Sequence, residues 1–421
     1  MNEEHNIKQL PNDWKKVKLS EAGKIISGGT PSTAIPEYWN GNINWISPAD
    51  LTGYKKKTII KGAKSITDFG LKNSSARLMP KGSVLFSSRA PIGYVAIAAD
   101  ELSTNQGFKS IIPNENVQSE FLYYFLKASK QSAEKVASGT TFKEISLSKF
   151  SELDFPLPPK LTQQAIVSKI EELFSELDKG IENLHTAQQQ LKTYRQSVLK
   201  WAFEGKLTNE NVKEGELPKE WKVLLMKEVS EMNPKIPNRE NISNQMEVQF
   251  LPMKLVEAIV NKIHLTEIRK YEEVLKGSYT PFIDGDVIFA KVTPCMENGK
   301  IAIVDKLKNG IGFGSSEFHV IRASDKIMGK YIFYYLVQDR FRNEAANEMT
   351  GAVGLRRVPK QFLENHHIPL PSIKEQHNII QSIESRLSVA DKMEESITQS
   401  LQQAEALRQS ILKKAFEGRL V

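Results

Sequence analysis

The chain has 421 residues, 40% of them apolar, and a formal net charge of +7 from 57 basic and 50 acidic residues. This length predicts two to four domains with cores of their own. The single cysteine, Cys295, excludes a disulfide framework and a cysteine-rich zinc site. No apolar run predicts a signal region or a membrane span, so we expect a cytoplasmic protein without a membrane partner.

The first block of the chain, residues 1–155, has the size of one domain and carries 20 basic against 15 acidic residues. Short apolar runs broken by Gly and Pro predict strands and turns, and one longer aromatic run predicts a buried helix. The predicted elements are a Gly/Pro turn at Gly28–Ser32, a strand ending at Ile46, strands within Lys81–Arg89 and Gly93–Ala98, the helix Phe121–Leu126 and a polar loop at Ser138–Lys143.

The next segment, residues 156–207, predicts one long helix. Pro158 and Pro159 stand where it should begin, and Gly205 stands where it should end. At about 1.5 Å per residue, a helix of roughly 45 residues would be about 65 Å long, and it cannot bury an apolar stripe alone. Alternating spacings of four and three residues give the predicted seam: Ile166, Ile170, Leu173, Leu177, Leu184 and Leu191.

The second block, residues 208–368, repeats the order of the first block with less identity. Met232-Asn233-Pro234-Lys235 stands where the first block has its Gly/Pro turn. The predicted elements are strands within Asp284–Lys291 and Gly299–Val304, loops at Gly310–Gly314 and Thr350–Arg357, the helix Tyr331–Leu336 and an exposed turn at His366-His367.

The last segment, residues 369–421, is a second copy of the helix. A shift of 213 positions lays Pro156–Leu207 on Pro369–Leu420 without a gap, which is too long a match for chance. We therefore predict that the two helices pair antiparallel as an intramolecular coiled coil. The predicted fold is α+β, with two similar domains joined and separated by these helices and related by a pseudo-twofold axis. The seam of the second copy is Ile379, Ile383, Met393, Ile397, Leu407 and Ile411.

This alternation of two blocks and two helices resembles the specificity subunit of type I restriction-modification systems, over essentially the whole chain. Further features that carry the resemblance are the Pro-Leu-Pro starts of both helical segments, Gln163, Gln376, the Ala-Phe-Glu-Gly ends at Ala202 and Ala415, and, in the first block, Gly28–Ser32 and Thr104–Phe108.

The resemblance implies a subunit that binds double-stranded DNA at a bipartite, asymmetric target. Each block would be a target-recognition domain for one half-site, and the helices would fix the spacer and dock two methyltransferase subunits. Motor-nuclease subunits are the other implied partners. S-adenosylmethionine, ATP and Mg would belong to those partners, with no cofactor in this chain. If both domains follow one face of the duplex, the half-site centres should lie about 34 Å apart, or a little more.

Motifs for catalysis are missing from the sequence. No Gly-Lys pair is followed by Ser or Thr, so there is no phosphate-binding P-loop. The Asn/Asp-Pro-Pro-aromatic signature of adenine methyltransferases does not occur either. His366-His367 is interpreted as an exposed turn because no carboxylate or cysteine stands at ligand spacing from it, and no metal site is predicted. We therefore predict a non-catalytic recognition subunit with no catalytic residues.

Two alternatives from other classes remain open on sequence grounds. The modest net charge is compatible with a coiled-coil scaffold whose two repeated domains bind proteins and never DNA. A self-sufficient nuclease is disfavoured by the missing motifs.

The candidate DNA contacts are Lys, Arg and small polar side chains on predicted loops, because these residue types contact phosphates and base edges. An ordinary solvated side chain is the alternative at each position, and Asn105 and Gln106 could instead satisfy backbone groups beside Phe108. Candidates in the first block are Ser27, Thr30, Ser32, Lys55, Lys56, Lys57, Arg89, Asn105, Gln106, Thr140, Thr141 and Lys143. Candidates in the second block are Lys254, Lys291, Thr293, Asn298, Lys300, Arg356 and Arg357.

Overall fold

The computed structural model describes residues 10–89, 91–139, 143–209, 211–213, 215–352 and 354–421. They fall into two compact units. The first runs up to His185 and is completed by Thr398–Val421, and the second is Thr186–Ile397. Each unit therefore holds one block and part of both long helices. The division of the sequence into 1–155, 156–207, 208–368 and 369–421 stays a prediction.

The first unit is built from short strands and a few helices. Its strands are β1 (Lys15–Lys18), β2 (Gly23–Ser27), β3 (Trp39–Ile46), β4 (Thr58–Ile59), β5 (Lys64–Ile66), β6 (Val84–Phe86), β7 (Val95–Ala98), β8 (Leu102–Thr104), β9 (Lys109–Pro113) and β10 (Asp154–Leu157). Its helices are α1 (Asp68–Lys72), α2 (Ser119–Ala128), α3 (Lys130–Val136), α4 (Leu147–Ser151) and the first part of α5 (Lys160–Phe203).

Two sheets of the first unit enclose an apolar layer. Within the described residues, the strand orders are β2-β9-β6-β7-β4 and β5-β3-β8, with β1 and β10 as a separate pair. Alternate side chains of a strand point to opposite faces. Val84 and Phe86 of β6 accordingly pack with α2, whereas Leu85 packs in the cluster that contains Ile46 and Leu102 of the second sheet. The larger sheet is thus covered on both faces, and this explains its uninterrupted apolar runs.

The second unit has the same kinds of element. Its strands are β11 (Lys222–Leu225), β12 (Ser230–Met232), β13 (Glu247–Leu251), β14 (Glu267–Lys270), β15 (Thr280–Ile283), β16 (Val287–Ala290), β17 (Ile301–Ile303), β18 (Ile311–Gly314), β19 (Phe318–Ala323) and β20 (His367–Leu370). Its helices are the last part of α5, α6 (Met226–Val229), α7 (Tyr271–Leu275), α8 (Gly329–Leu336), α9 (Asp339–Asn347), α10 (Lys360–Asn365) and the first part of α11 (Ile373–Phe416).

The two units share most of their strand order, which confirms the predicted α+β fold with two similar domains; among the described strands, β4 of the first unit and β15 of the second have no counterpart. In the part of the chain that the structure describes, the strand orders are β12-β19-β16-β17 and β14-β13-β18-β15, with β11 pairing β20. β13 runs parallel to β18 and antiparallel to β14, just as β3 runs parallel to β8 and antiparallel to β5. The framework strands and aromatic helices expected from the sequence are present in both units.

In the first unit the beginning of α5 packs against the end of α11. The ring of Phe416 meets the rings of Phe121 and Phe125 of α2 at centroid distances of 5.2 and 5.5 Å. Arg408 of α11 forms an ion pair with Asp178 of α5. Since the start of one helix lies beside the end of the other, the two helices run antiparallel here.

The second unit repeats this packing with the helices exchanged. Phe203, near the end of α5, meets Tyr331 of α8 at 4.8 Å between ring centroids. Arg195 of α5 forms ion pairs with Asp391 at 2.6 Å and Glu394 at 2.8 Å on α11. The 213-residue repeat lays Arg195 on Arg408, so one residue of the repeat makes the corresponding ion pair in each unit.

The predicted seam is wrong at two positions. Met393 and Leu407 are 53% and 51% exposed. The next residues along α11, Glu394 and Arg408, form the ion pairs just described, so charged groups occupy those steps of the helix. The buried and half-buried positions of α11 include Ile379, Ile383, Leu387, Ala390, Ile397, Leu401, Ala404 and Ile411, and those of α5 include Ile166, Ile170, Leu173, Leu177, Leu184 and Leu191.

Two predicted loops are also wrong. Ile311–Gly314 forms strand β18, because it pairs with β13 on one side and β15 on the other. His366 is half-buried rather than exposed, and its ring contacts the hydroxyl of Tyr335 at 2.8 Å. His367 begins β20 and is exposed.

A buried glutamine joins each long helix to its sheet domain. Gln163 is fully buried; its side-chain oxygen accepts a hydrogen bond from Gln118 N at 2.9 Å, and its amide donates to Asn116 O at 2.8 Å and Pro158 O at 2.9 Å. Gln118 is the residue just before α2, so this glutamine caps that helix from the side.

Gln376 makes the same three bonds in the second unit. It accepts from Met328 N at 2.8 Å and donates to Lys326 O at 2.9 Å and Pro371 O at 3.0 Å. Met328 stands just before α8, as Gln118 stands before α2.

Replacing Gln163 by Met should loosen the start of α2, because three backbone groups lose the buried side chain that bonds them. We expect the first unit to lose roughly 2–4 kcal/mol of stability. Urea unfolding and hydrogen exchange of residues 116–125 measure the loss. Gln164→Met changes an exposed neighbour on the same helix and serves as the control. Equal exchange rates in Q163M and Q164M would contradict the role of the glutamine.

Candidate nucleic-acid interface

A glycine turn after β2 brings several first-block candidates together. Gly28 N donates to Phe108 O at 3.3 Å, and Gly29 N donates to Thr104 O at 2.8 Å. A Cβ on Gly28 would lie 1.8 Å from Asn105 O, and one on Gly29 would lie 2.2 Å from Ala76 N. Only glycine fits where these segments of the chain approach each other so closely. The turn and the loop that follows β8 therefore form one surface.

Polar side chains link this turn and loop. The Thr30 hydroxyl is hydrogen-bonded to Gln106 Oε1, and Gln106 is exposed. Asn105 is half-buried, and its Oδ1 accepts from Gly107 N at 2.9 Å. Asn105 thus satisfies a backbone group, whereas Gln106 and the exposed Ser32 face solvent.

Two tryptophans of β3 donate hydrogen bonds to backbone carbonyls of the turn. Trp45 Nε1 donates to Gly29 O at 2.9 Å, and Trp39 Nε1 donates to Ser32 O at 3.1 Å. Their rings meet edge to face at 5.2 Å. Sequence reasoning missed this role; the only available signal was that the two residues are six apart and so lie on one face of a strand.

The end of β6 and the loop before α4 complete the first surface. Ile145 N donates to Ser88 O at 3.1 Å, and Ser88 N donates to Gly107 O at 2.7 Å. Arg89 and Lys109 both approach the carboxylate of Glu144, with N–O distances of 3.5 Å. Lys143 is exposed beside Glu144. The candidates Thr140 and Thr141 lie outside the described residues.

The lysine run does not belong to this surface. Lys57 forms an ion pair with Glu171 of α5. The run leads into β4, which lies at the opposite edge of the sheet from β2. Lys55 and Lys56 are exposed there.

An asparagine replaces the glycine turn in the second unit. Asn233 has a φ of 53°, a left-handed conformation that asparagine tolerates better than most residues. Its backbone N donates to Val320 O at 2.7 Å, and its Oδ1 accepts from Val320 N at 2.8 Å. The different residue thus makes the same kind of close approach to the neighbouring strand.

His319 links this turn to the loop before α10. Its Nε2 donates to Val358 O at 3.0 Å, so its Nδ1 is the acceptor for Asn233 Nδ2 at 3.2 Å. Burial lowers the pKa of His319, and the nearby Lys291 and Lys360 lower it further against the effect of the Val358 hydrogen bond. This histidine is therefore neutral and structural. No pattern in the sequence distinguishes it from other histidines.

The clearest cluster of second-block candidates surrounds Glu317. Arg357 donates to both oxygens of this carboxylate, from Nε at 2.8 Å and from Nη2 at 2.7 Å. Lys291 N donates to Glu317 O at 2.9 Å, and Thr293 N donates to Arg356 O at 3.0 Å. The structure thus places Lys291, Thr293, Arg356 and Arg357 together.

The remaining second-block candidates lie at another place. Lys300 Nζ donates to Met253 O at 3.0 Å, and the exposed Lys254 forms an ion pair with Glu267 at 3.8 Å. Asn298 is exposed in the turn before β17.

Comparison with known proteins decides the family. Residues 11–186 and 218–403 each match the family model described as "Type I restriction modification DNA specificity domain". The chain belongs to this family.

Relatives in the DNA specificity family cover most of the chain. It is 31% identical over 395 residues to the specificity subunit of type I restriction enzyme MjaIX from Methanocaldococcus jannaschii, covering 89% of this chain and 88% of that protein. The EcoDI specificity subunit of Escherichia coli is 26% identical and covers 98% of this chain and 90% of its own length.

Solved structures have the same fold. The HsdS subunit from Thermoanaerobacter tengcongensis matches with a TM-score of 0.60 at 19% identity, over 98% of both chains. A chain from a structure of the type I R-M system matches with a TM-score of 0.73 at 19% identity, over 98% of this chain and all of the other.

Among the described residues, no three His, Cys, Asp or Glu side chains are grouped to hold a metal ion. In the same part of the chain, no helix is both long and apolar enough to cross a membrane.

Acid should destabilise the second unit, because protonated His319 cannot accept the hydrogen bond from Asn233. A group whose pKa is lowered by folding stabilises the fold above its unfolded pKa, about 6.5, and loses that contribution as the pH falls below it. We expect the Tm of the wild type to fall between about pH 7.5 and about pH 5.5, and H319Q to show a smaller fall.

Burial also lowers the pKa of His366, so the pH dependence of the Tm is measured for H366Q as well. The exposed His367→Gln is the control. An identical pH dependence in H319Q and H367Q would rule out the assigned role of His319.

Proposed function

We propose that this chain reads DNA for a type I restriction-modification complex, with each unit binding one half of a bipartite, asymmetric target. The observation that carries the proposal is that the two units have the same framework of strands but different loops. The strand order β2-β9-β6-β7 recurs as β12-β19-β16-β17. The Gly28-Gly29 turn is replaced by Asn233-Pro234, and Glu144 by Arg357. Two surfaces built alike but with different chemistry are suited to reading different sequences.

The exposed side chains of these surfaces are of the types that bind DNA. Gln106 and Lys143 in the first unit, and Arg356 and Arg357 in the second, are exposed on loops. Arg and Gln can make paired hydrogen bonds to guanine and adenine edges, and Lys and Arg neutralise phosphates. Thr30, which is hydrogen-bonded to Gln106, is a small donor on the first surface, and Ser27 directly precedes the Gly28-Gly29 turn. Thr293, whose N donates to Arg356 O, is a small donor on the second surface. Lys55 and Lys56 are candidates only for phosphate contact, since they lie at the opposite edge of the sheet.

The long helices would set the separation of the half-sites and dock two methyltransferase subunits. Val389 and Met393 are 50% and 53% exposed and lie one turn apart on α11, which leaves an apolar patch uncovered. On this proposal S-adenosylmethionine is bound by the methyltransferase subunits, and ATP and Mg are bound by motor-nuclease subunits. The chain itself would carry no cofactor and would act in the cytoplasm.

A non-catalytic recognition role agrees with the relatives, which are specificity subunits. The alternative of a scaffold that binds only proteins is not favoured, because both blocks match a DNA specificity domain.

Exchanging residues 208–368 for the corresponding block of another family member should change one half of the recognised motif and leave the other half intact. The physical reason is that each surface is built within its own unit. The measurement is a genome-wide map of methylated adenines in cells that carry the chimaera with the methyltransferase subunits.

Exchanging residues 10–155 instead is the matched control and should change only the other half. Changes in both halves from one exchange, a continuous palindromic motif, or no methylation by the wild-type complex would each overturn the proposal.

A further inference from the structure

Each unit has a rim of charged residues. One position of this rim is acidic in the first unit and basic in the second. Glu144 forms backbone bridges with Arg89 and Ser138. Arg357 forms the same two bridges with Val292 and Thr350. Ser88 O accepts from Ile145 N as Lys291 O accepts from Val358 N. Glu144 and Arg357 therefore hold one place in the shared fold.

The first rim consists of Ser88, Arg89, Lys109 and Glu144. Glu144 Oε2 lies 3.5 Å from Arg89 Nη1, and Oε1 lies 3.5 Å from Lys109 Nζ. The Lys109 side chain is only 9% exposed, whereas that of Arg89 is 36% exposed. The buried lysine thus depends on Glu144 for its counter-charge, and the arginine also reaches solvent.

The second rim consists of Lys291, Glu317, His319 and Arg357. Arg357 grips Glu317 through two hydrogen bonds of 2.7 and 2.8 Å. The guanidinium holds the pKa of Glu317 below its usual range, and the charge of Lys291 lowers it further. His319 is the counterpart of Lys109, because each follows a phenylalanine, Phe318 or Phe108, at the start of a corresponding strand. Unlike the lysine, His319 is neutral.

The two rims have the same charge balance despite their different residues. Each has two cations and one carboxylate: Arg89, Lys109 and Glu144 in one, Arg357, Lys291 and Glu317 in the other. A carboxylate on a DNA-facing surface repels phosphates and weakens general affinity. The same carboxylate fixes the orientation of an arginine side chain, because a guanidinium that donates hydrogen bonds to it can point in few other directions.

We propose that Glu144 and Glu317 are positioning residues for sequence discrimination, each holding the arginine of its rim toward a base edge and away from phosphates. The proposal rests on the proposed function and deepens it. It assigns the discrimination of one half-site to Arg89 with Glu144, and that of the other to Arg357 with Glu317.

The test uses the full complex with methyltransferase subunits and three duplexes: the target, the target altered in its first half, and the target altered in its second half. Affinities are measured over a series of salt concentrations for wild type, E144Q and E317Q. The controls are E115Q in the first unit and E220Q in the second, which remove exposed carboxylates outside both rims.

We expect E144Q to lose about tenfold of its discrimination in one half of the target only, since one well-placed arginine distinguishes bases by roughly that factor. E317Q should lose a similar factor in the other half only. Each variant should also bind altered DNA more tightly, with a salt slope steeper by about 0.9, because the freed arginine neutralises one more phosphate. The controls should behave as wild type.

Arg89→Lys tests the first rim without removing the partner of Lys109. It keeps the charge but loses the planar fork. It should therefore lose the same half of the discrimination while leaving the salt slope unchanged. This variant keeps the proposal open to refutation if E144Q does not fold.

Full discrimination by both E144Q and R89K, in a complex that still prefers its target, would overturn this inference and leave the proposed function standing. So would an equal loss in both halves, which indicates general damage to the fold. A wild-type complex that prefers no bipartite duplex would overturn the proposed function and this inference with it.

Discussion

The packing of one long helix against the opposite end of the other is the constraint on which each unit depends. In the first unit the aromatic ring of Phe416 sits between Phe121 and Phe125, and in the second Phe203 sits against Tyr331 and Tyr335. These contacts join residues almost 300 positions apart in the first unit, so its core is complete only when the end of α11 packs against it. The sheets, the turns and the rims are all built outward from that core.

The repeat made the helices and the common framework predictable. Apolar periodicity is a local property, and helix length, direction and the aromatic helices α2 and α8 followed from it. The exact seam did not, because ion pairs such as that of Arg408 with Asp178 replace apolar contacts at some steps. Which of two adjacent residues of α11 faces the partner helix depends on that helix's charges, and these are 199 positions away for Glu394 and 230 for Arg408.

The recognition surfaces were predictable only in part. Gly28-Gly29 and the Asn105-Gln106 loop were identified from residue types and do lie together. Lys57 was a reasonable phosphate candidate by composition, yet its ion pair with Glu171 directs it to a helix. Glu144 escaped notice because an acidic residue is not an expected DNA contact. Its partners stand 55 and 35 positions earlier in the chain, and only the folded sheet brings them near.

The match to the DNA specificity family explains why two copies of one framework differ most in their loops. Strand order, helix packing and the buried glutamines are shared by both units, since they serve folding. The turn after the first framework strand and the residues around Glu144 and Arg357 differ. Divergence is therefore concentrated in the loops that we propose to contact DNA.

The buried glutamines have a consequence for how such a protein can change over time. The side-chain hydrogen bonds of Gln163 and Gln376 described above all go to main-chain atoms. Hydrogen bonds to backbone amide and carbonyl groups do not depend on which side chains the sheet domain carries. The sheet domain can therefore change in composition, or be exchanged by recombination, without losing these hydrogen bonds, whereas the aromatic contacts with Phe416 and Phe203 must be kept.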